Sequence, residues 1–209
     1  MHTDLILVRH GQSQSNVEGR FCAVPPGPGL TQRGRLQAAA ATRCLLQAGV
    51  RPSLIVSSPL ARARETARPL EEATGLTAEV SWALREVDFG PWEGMRFEEL
   101  SSFDQFRSWC VDPEAFPPPG GERLSDVADR VLGLFGQLGS QHPSGTIVGF
   151  SHMHPLVALL IASQGRSLGG HGGLHLPNAT IVHARIEDGV LRFISLDTTP
   201  ADAGEAIAL

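Results

Sequence analysis

Leu5-Ile6-Leu7-Val8-Arg9-His10-Gly11 is a short apolar run that stops abruptly at a cation, an imidazole and a glycine. Four apolar residues without polar alternation fit a buried strand. Arg9 and His10 then stand side by side where the strand ends. Gly11 permits a sharp turn there, and Asn16 follows within the next loop. A strand end carrying Arg, His and Asn is suited to hold a dianionic phosphoryl group against a nucleophilic nitrogen.

Two more buried strands are predicted at 54–57 and 146–151, ending in Ser57-Ser58 and Ser151-His152. Helices separate them. Residues 31–48 have Thr31 as a cap and Gly49 as a stop, and 59–74 stop at Gly75. Residues 98–110, rich in Phe and Trp, predict one helix. Residues 124–138 place Val127, Val131, Leu134, Phe135 and Leu138 near helical spacing, and 155–163 predict another helix. Residues 181–186 and 190–196 flank Glu187-Asp188-Gly189, a hairpin signal whose edge offers a surface for a homodimer. The alternation predicts an α/β fold, a three-layer α/β/α sandwich with a mostly parallel sheet, whose ligands bind beyond the carboxyl ends of the strands. A single domain over 1–209 is expected, with a lid-like insert at 90–122 that includes the rigid turn 117–121, and a mobile tail after Asp197.

Composition narrows the chemistry. The chain has 209 residues, 42% of them hydrophobic, enough for one core. No apolar run approaches the ~20 residues of a membrane span. No basic-then-apolar leader is seen, and a net charge of −5 without a basic block argues against a nucleic-acid surface. Cys22, Cys44 and Cys110 are odd in number and far apart, and read as free thiols in a reducing cytoplasm. All 17 basic residues are arginine. Without lysine there is no Schiff base and no lysine-dependent phosphate loop; without tyrosine there is no phenolic acid or nucleophile.

Phosphoryl transfer needs positioning and charge neutralisation, and the guanidinium fork supplies the second. Arg9 and Arg62 stand at rim positions; Arg64 and Arg68 read as a solvated face. His10 is the candidate nucleophile. His152, placed alike after its own strand, is a candidate donor to the transferring oxygens. A carboxyl must protonate the leaving alcohol, and Glu86, Asp88 and Glu93 all compete for that role. Apolar neighbours of Glu86 are expected to raise its pKa, as a general acid requires.

Six ordered motifs carry a resemblance: Leu7-Val8-Arg9-His10-Gly11 with Asn16; Leu30-Thr31 with Gly34, Gln37 and Ala38; Ser57-Ser58-Pro59-Leu60-Ala61-Arg62-Ala63 with Thr66-Ala67; Glu86 with Gly90 and Trp92-Glu93-Gly94; Gly120-Gly121-Glu122; and Ser151-His152. From Leu5 to about Leu196 the chain resembles the histidine phosphatase superfamily, with its phosphoglycerate mutase-like fold. The resemblance implies that His10 is the phosphorylated nucleophile, that Arg9, Arg62, Asn16 and His152 form the phosphate pocket, and that Glu86 is the proton donor. It implies no cofactor and no metal.

Departures from the family pattern locate the substrate side. Gln12 stands where Glu is usual, and Met153-His154-Pro155 follows the second histidine where Gly is usual. Met153 and His154 are therefore expected to tune substrate choice and not the chemical step. The pair His152-x-His154 lacks a third metal ligand. Arg123 replaces the usual Ser and faces either substrate or solvent, while His171 and His175 read as a solvated loop. Arg20-Phe21-Cys22 resembles the mutase branch and puts Phe21 and Cys22 beside the substrate. The short segment between Glu86 and Glu122 is instead similar to small metabolite phosphatases, such as α-ribazole phosphatase and metal-independent phosphoserine phosphatase. The expected partner is a small-molecule phosphate ester, with no nucleic acid and no membrane. Mutase-type transfer, a phosphohistidine-protein phosphatase and a non-catalytic phosphate-binding module are the rival readings.

Overall fold

Leu5 and Leu7 pack into one apolar cluster, and Ile6 and Val8 into another on the opposite side. A strand that needs cover on both faces belongs in the interior of a sheet between two helical layers. In the computed structural model, which describes residues 2–170 and 173–203, β1 (His2–Arg9) occupies that interior position. The chain continues through α1 (Gln14–Val17), α2 (Gln32–Gln47), β2 (Leu54–Ser57), α3 (Ala61–Thr74), β3 (Glu79–Val80), α4 (Phe97–Leu100) and α5 (Asp104–Val111). It ends with α6 (Leu124–Gln141), β4 (Thr146–Ser151), α7 (Met153–Ser163), β5 (Ile181–Glu187) and β6 (Val190–Asp197).

The six strands lie in the order β3-β2-β4-β1-β5-β6. β1, β2, β3 and β4 are mutually parallel, β5 runs against β1, and β6 against β5, so only β5 is reversed. Ala41 and Leu45 of α2, with Ala67 and Leu70 of α3, cover one face. The other is covered by α6, through Val127, Val131 and Phe135, and by α7. Nearly all of α7 is apolar and buried, as expected of a helix enclosed on every side. The α/β/α sandwich with a mostly parallel sheet is thus the architecture found.

Two expectations change. Residues 98–110 form not one helix but two short ones, α4 and α5. The hydroxyls of Ser101 and Ser102 bond the carbonyls of Glu98 and Glu99, at 2.7 and 3.4 Å, and Phe103 is extended. Serine side chains that take backbone partners in this way compete with helix propagation. Of the expected tail, residues 204–209 lie outside the described residues, while Thr199–Asp202 form a 3₁₀ turn in which Pro200 and Ala201 are buried. The carbonyl of Ala201 accepts from Gln37 Nε2 at 2.7 Å, which docks the turn on α2. Among the described residues, no helix is long and apolar enough to cross a membrane.

Candidate active site

The carboxyl ends of β1, β2 and β4 are adjacent, so the residues that follow them meet at one rim. Gly11 and Gly34 make this possible by contact. A Cβ on Gly11 would lie 2.3 Å from the Gly34 carbonyl oxygen, and one on Gly34 would lie 2.0 Å from that of Gln12. The β1 end therefore passes directly against the start of α2. The requirement at Gly11 is this close approach.

His10 is almost fully buried. Its Nδ1 lies 2.7 Å from the Gly11 carbonyl oxygen, and its Nε2 accepts from Arg62 Nε at 3.0 Å. The two contacts select one tautomer: hydrogen on Nδ1, lone pair on Nε2. Burial, then the charges of Arg62, His152 and Arg9, hold the imidazole well below its usual pKa, with the Gly11 bond opposing. The ring is neutral near pH 7, and its Nε2 can act as a nucleophile.

Arg62, in the first turn of α3, also donates from Nη2 to the Cys22 carbonyl at 2.7 Å. Arg9 donates from Nη1 to the Leu176 carbonyl. Burial lowers the Arg9 guanidinium to about 10, Glu86 opposing and Arg62 assisting, so it stays charged. His152 stands just before α7 and is fully buried, its ring centroid 5.0 Å from that of His10. Its Nε2 lies 2.7 Å from Ser58 Oγ, which also accepts from the Leu60 amide at 3.3 Å. Burial, then Arg62, keep His152 well below the usual imidazole value against the pull of Glu86. Arg9 Nε, Arg62 Nη1 and His152 Nδ1 are buried and have no protein partner. In native proteins such atoms are rare; Arg9 and Arg62 line the cavity, while His152 lies behind it, its ring beside that of His10.

Glu86 is the carboxylate that lines the cavity beside these groups; Asp88 and Glu93 do not line it. Asp88 is exposed and accepts from the Gly90 amide, while Glu93 accepts from the amides of Ala23 and Val24 at 2.8 and 3.2 Å. The expected raised pKa of Glu86 is not found. Burial does push it upward. The charge and hydrogen bond of His154, then His152 and the Val87 amide, outweigh burial and hold the carboxyl well below the usual range.

His154 is thereby corrected as well. It lines the cavity as expected, but it is buried and its Nδ1 is engaged by Glu86 Oε1 at 3.0 Å. Met153 lines the cavity, as do Gln12, Asn16, Phe21 and Cys22. Gln12 is tied down by Gln37 and Thr31, and Asn16 closes a capping box with Ser13. The exposed Arg123 starts α6 and bonds the Glu114 carbonyl at 3.2 Å, away from the cavity. His175 is exposed at the cavity rim, and His171 lies outside the described residues. No group of three or more His, Cys, Asp or Glu able to hold a metal ion occurs among the described residues.

Two contributors escape sequence reasoning. Asn178 Nδ2 bonds the His10 carbonyl at 3.1 Å and Asn16 Oδ1 at 3.2 Å. The available signal was the Pro177-Asn178 pair just before β5, whose antiparallel run starts at the same rim where β1 ends. Arg130 donates to Glu122 through Nε and Nη2, each at 3.0 Å, and to the carbonyls of Ala83, Arg85 and Glu86. It clasps the segment that carries Glu86. The whole cavity measures about 470 Å³, and Phe21, Phe89, Phe97, Phe106 and Trp109 form its apolar wall.

A family model for the histidine phosphatase superfamily, branch 1, matches residues 5–199. The chain belongs to that superfamily. Over 185 residues it is 35% identical to phosphoserine phosphatase 1 of Hydrogenobacter thermophilus, covering 86% of this chain and 85% of that protein. It is 31% identical over 187 residues to the adenosylcobalamin/alpha-ribazole phosphatase of Salmonella typhimurium, covering 88% and 86%. Among solved structures it matches a mycobacterial glucosyl-3-phosphoglycerate phosphatase in complex with VO3, with a TM-score of 0.80 and 31% identity over 93% of this chain and 96% of that one. This histidine phosphatase is thus related to enzymes named for small phosphorylated metabolites.

Proposed function

We propose that the protein hydrolyses a small phosphomonoester through a phosphohistidine formed on His10. The carrying observation is the convergence of the His10 Nε2 lone pair with three partnerless buried donors on Arg9, Arg62 and His152. Nε2 attacks phosphorus, the P–O ester bond breaks, and the donors take up the charge that grows on the phosphoryl oxygens. Glu86 passes a proton to the leaving alcohol. Water then attacks the phosphohistidine, the P–N bond breaks, and Glu86 takes the proton of that water. Asn16, Gln12 and Cys22 border the phosphate side, and Met153 and Phe21 border the alcohol side.

The aromatic wall favours an ester with an apolar or planar body. Glu86 is the one carboxylate among the lining residues, and it is already engaged. An ammonium group on the substrate would find no free anion among the described lining residues, so an amino-acid phosphate fits them less well than a nucleoside-like ester. Three free cysteines support the cytoplasm as the compartment. In the deciding experiment, His10→Ala is expected to lose p-nitrophenyl phosphate hydrolysis while staying folded. Rapid quench of the wild type should trap acid-labile phosphate on His10. Substantial turnover by the folded variant would remove the nucleophile assignment.

A further inference from the structure

We propose that His154 holds the proton that Glu86 delivers to the leaving alcohol, so that the two side chains act as one proton-carrying pair. The inference rests on the phosphohydrolase reading above and adds to it a positioning residue that acts through Glu86.

The geometry leaves Glu86 poorly equipped to be an acid alone. Oε1 accepts from the amides of Val87 and His154 at 2.9 and 3.3 Å, and Oε2 accepts from the amide of Met153 at 3.2 Å. Three backbone donors, two of them at the start of α7, all favour the ionised carboxylate. Against burial, the charge and hydrogen bond of His154, then His152 and the Val87 amide, hold the Glu86 pKa well below the usual range. A carboxylate so held needs a proton source within hydrogen-bond reach. His154 Nδ1, at 3.0 Å from Oε1, is the titratable side chain in that position. The imidazole is also fixed in place. It is buried, and its centroid lies 5.9 Å from the ring of Phe89 and 5.6 Å from that of Trp109. It lines the same cavity as His10 and Glu86.

The proton balance closes over one turnover. Before reaction the pair is imidazolium and carboxylate. As His10 Nε2 bonds to phosphorus and the ester P–O bond breaks, the Nδ1 proton crosses to the carboxylate and a carboxyl proton reaches the leaving oxygen. Neutral His154 and ionised Glu86 remain. When water attacks the phosphohistidine, Glu86 takes the proton of that water and returns it to His154.

The test compares kcat/KM for benzyl phosphate, an alkyl ester, with that for p-nitrophenyl phosphate, whose leaving group needs no proton. This ratio reports steps up to release of the alcohol, so the later hydrolysis of phosphohistidine does not mask the effect. His154→Gln and the shorter His154→Asn both retain an N–H donor but carry no transferable proton. Each is expected to lose about 100-fold on benzyl phosphate and to stay within about threefold on p-nitrophenyl phosphate. Adding Glu86→Gln to His154→Gln should cost no more than Glu86→Gln alone, because the pair acts as a unit. An equal loss on both esters, an unchanged rate on benzyl phosphate, or additive losses in the double variant would overturn the proposal. Loss of all wild-type activity on both esters, or activity in His10→Ala, would instead strike the phosphohydrolase reading itself.

Discussion

His152 illustrates how one residue is prepared by its neighbour. The Ser58 hydroxyl accepts from the Leu60 amide and so has its own hydrogen free for His152 Nε2. With the Ser58 hydroxyl donating to Nε2, the hydrogen of the neutral ring lies on Nδ1, the atom without a protein partner. Ser58→Ala should therefore lower kcat about tenfold by freeing the tautomer, in the manner of a lost supporting hydrogen bond. It should also cost about 1–3 kcal/mol by stranding a buried imidazole nitrogen and an amide. Steady-state kinetics with urea denaturation would check both; unchanged kcat with lowered stability would leave Ser58 a structural role only. Met153 is the opposite case, since its side chain borders the cavity without a polar task. Met153→Ala should change KM and the ranking of bulky esters while kcat on p-nitrophenyl phosphate stays within about threefold. A large kcat loss with unchanged ranking would place it in the chemical step. The motifs at Arg9-His10, Ser58, Arg62 and Ser151-His152 were legible because each follows a buried strand or opens a helix. The direction of the His154 side chain was not legible, because spacing says which residue starts a helix and not which rotamer it takes.

At the scale of elements, the strands and long helices were readable from apolar runs and their stops. The segment between Glu86 and α6 was not, because its order comes from long-range contacts. Glu122 lies 36 residues from Glu86 in the chain, yet it accepts from Arg85, Arg130 and the Asp88 amide. Arg130 reaches from α6 to three carbonyls of the 83–86 backbone. No local pattern reports such a clasp. Both partners are largely buried, so Arg130→Ala leaves a carboxylate and several carbonyls short of donors. Arg85 and the Asp88 amide still hold Glu122, so a loss of about 1–3 kcal/mol is expected from the carbonyls and carboxylate oxygen left short of a donor. Since the clasp sets the backbone position of Glu86, kcat for benzyl phosphate should fall more than KM rises. Thermal unfolding and kinetics on the same preparation test this; a stability loss with unchanged kcat in the folded fraction would separate the clasp from the site.

For the molecule as a whole, the site is a cost in stability that the two apolar clusters offset. Three imidazoles, two guanidinium groups and a carboxylate are taken out of water at one rim. His10 and His152 both titrate well below the ordinary imidazole value of 6.5 in the folded state, chiefly because they are buried. Below pH 6.5 the unfolded chain therefore binds protons at these positions that the folded chain refuses. Their contribution to stability is complete above that value and is lost as pH falls, each by up to about 1.4 kcal/mol per pH unit. Glu86, also held low when folded, adds a further loss below its ordinary value of 4.5, with the same sign. Urea midpoints measured from pH 8 to pH 5 should thus fall steeply below pH 6.5, and His10→Gln with His152→Gln should flatten that fall. A dianion in the site works in the opposite direction, because it supplies acceptors for Arg9 Nε, Arg62 Nη1 and His152 Nδ1 and binds only the folded chain. Inorganic phosphate at a hundred times its dissociation constant should add about 2.7 kcal/mol at pH 7. The same double variant should lose most of that gain. An equal gain in wild type and variant would show that phosphate acts elsewhere on the protein.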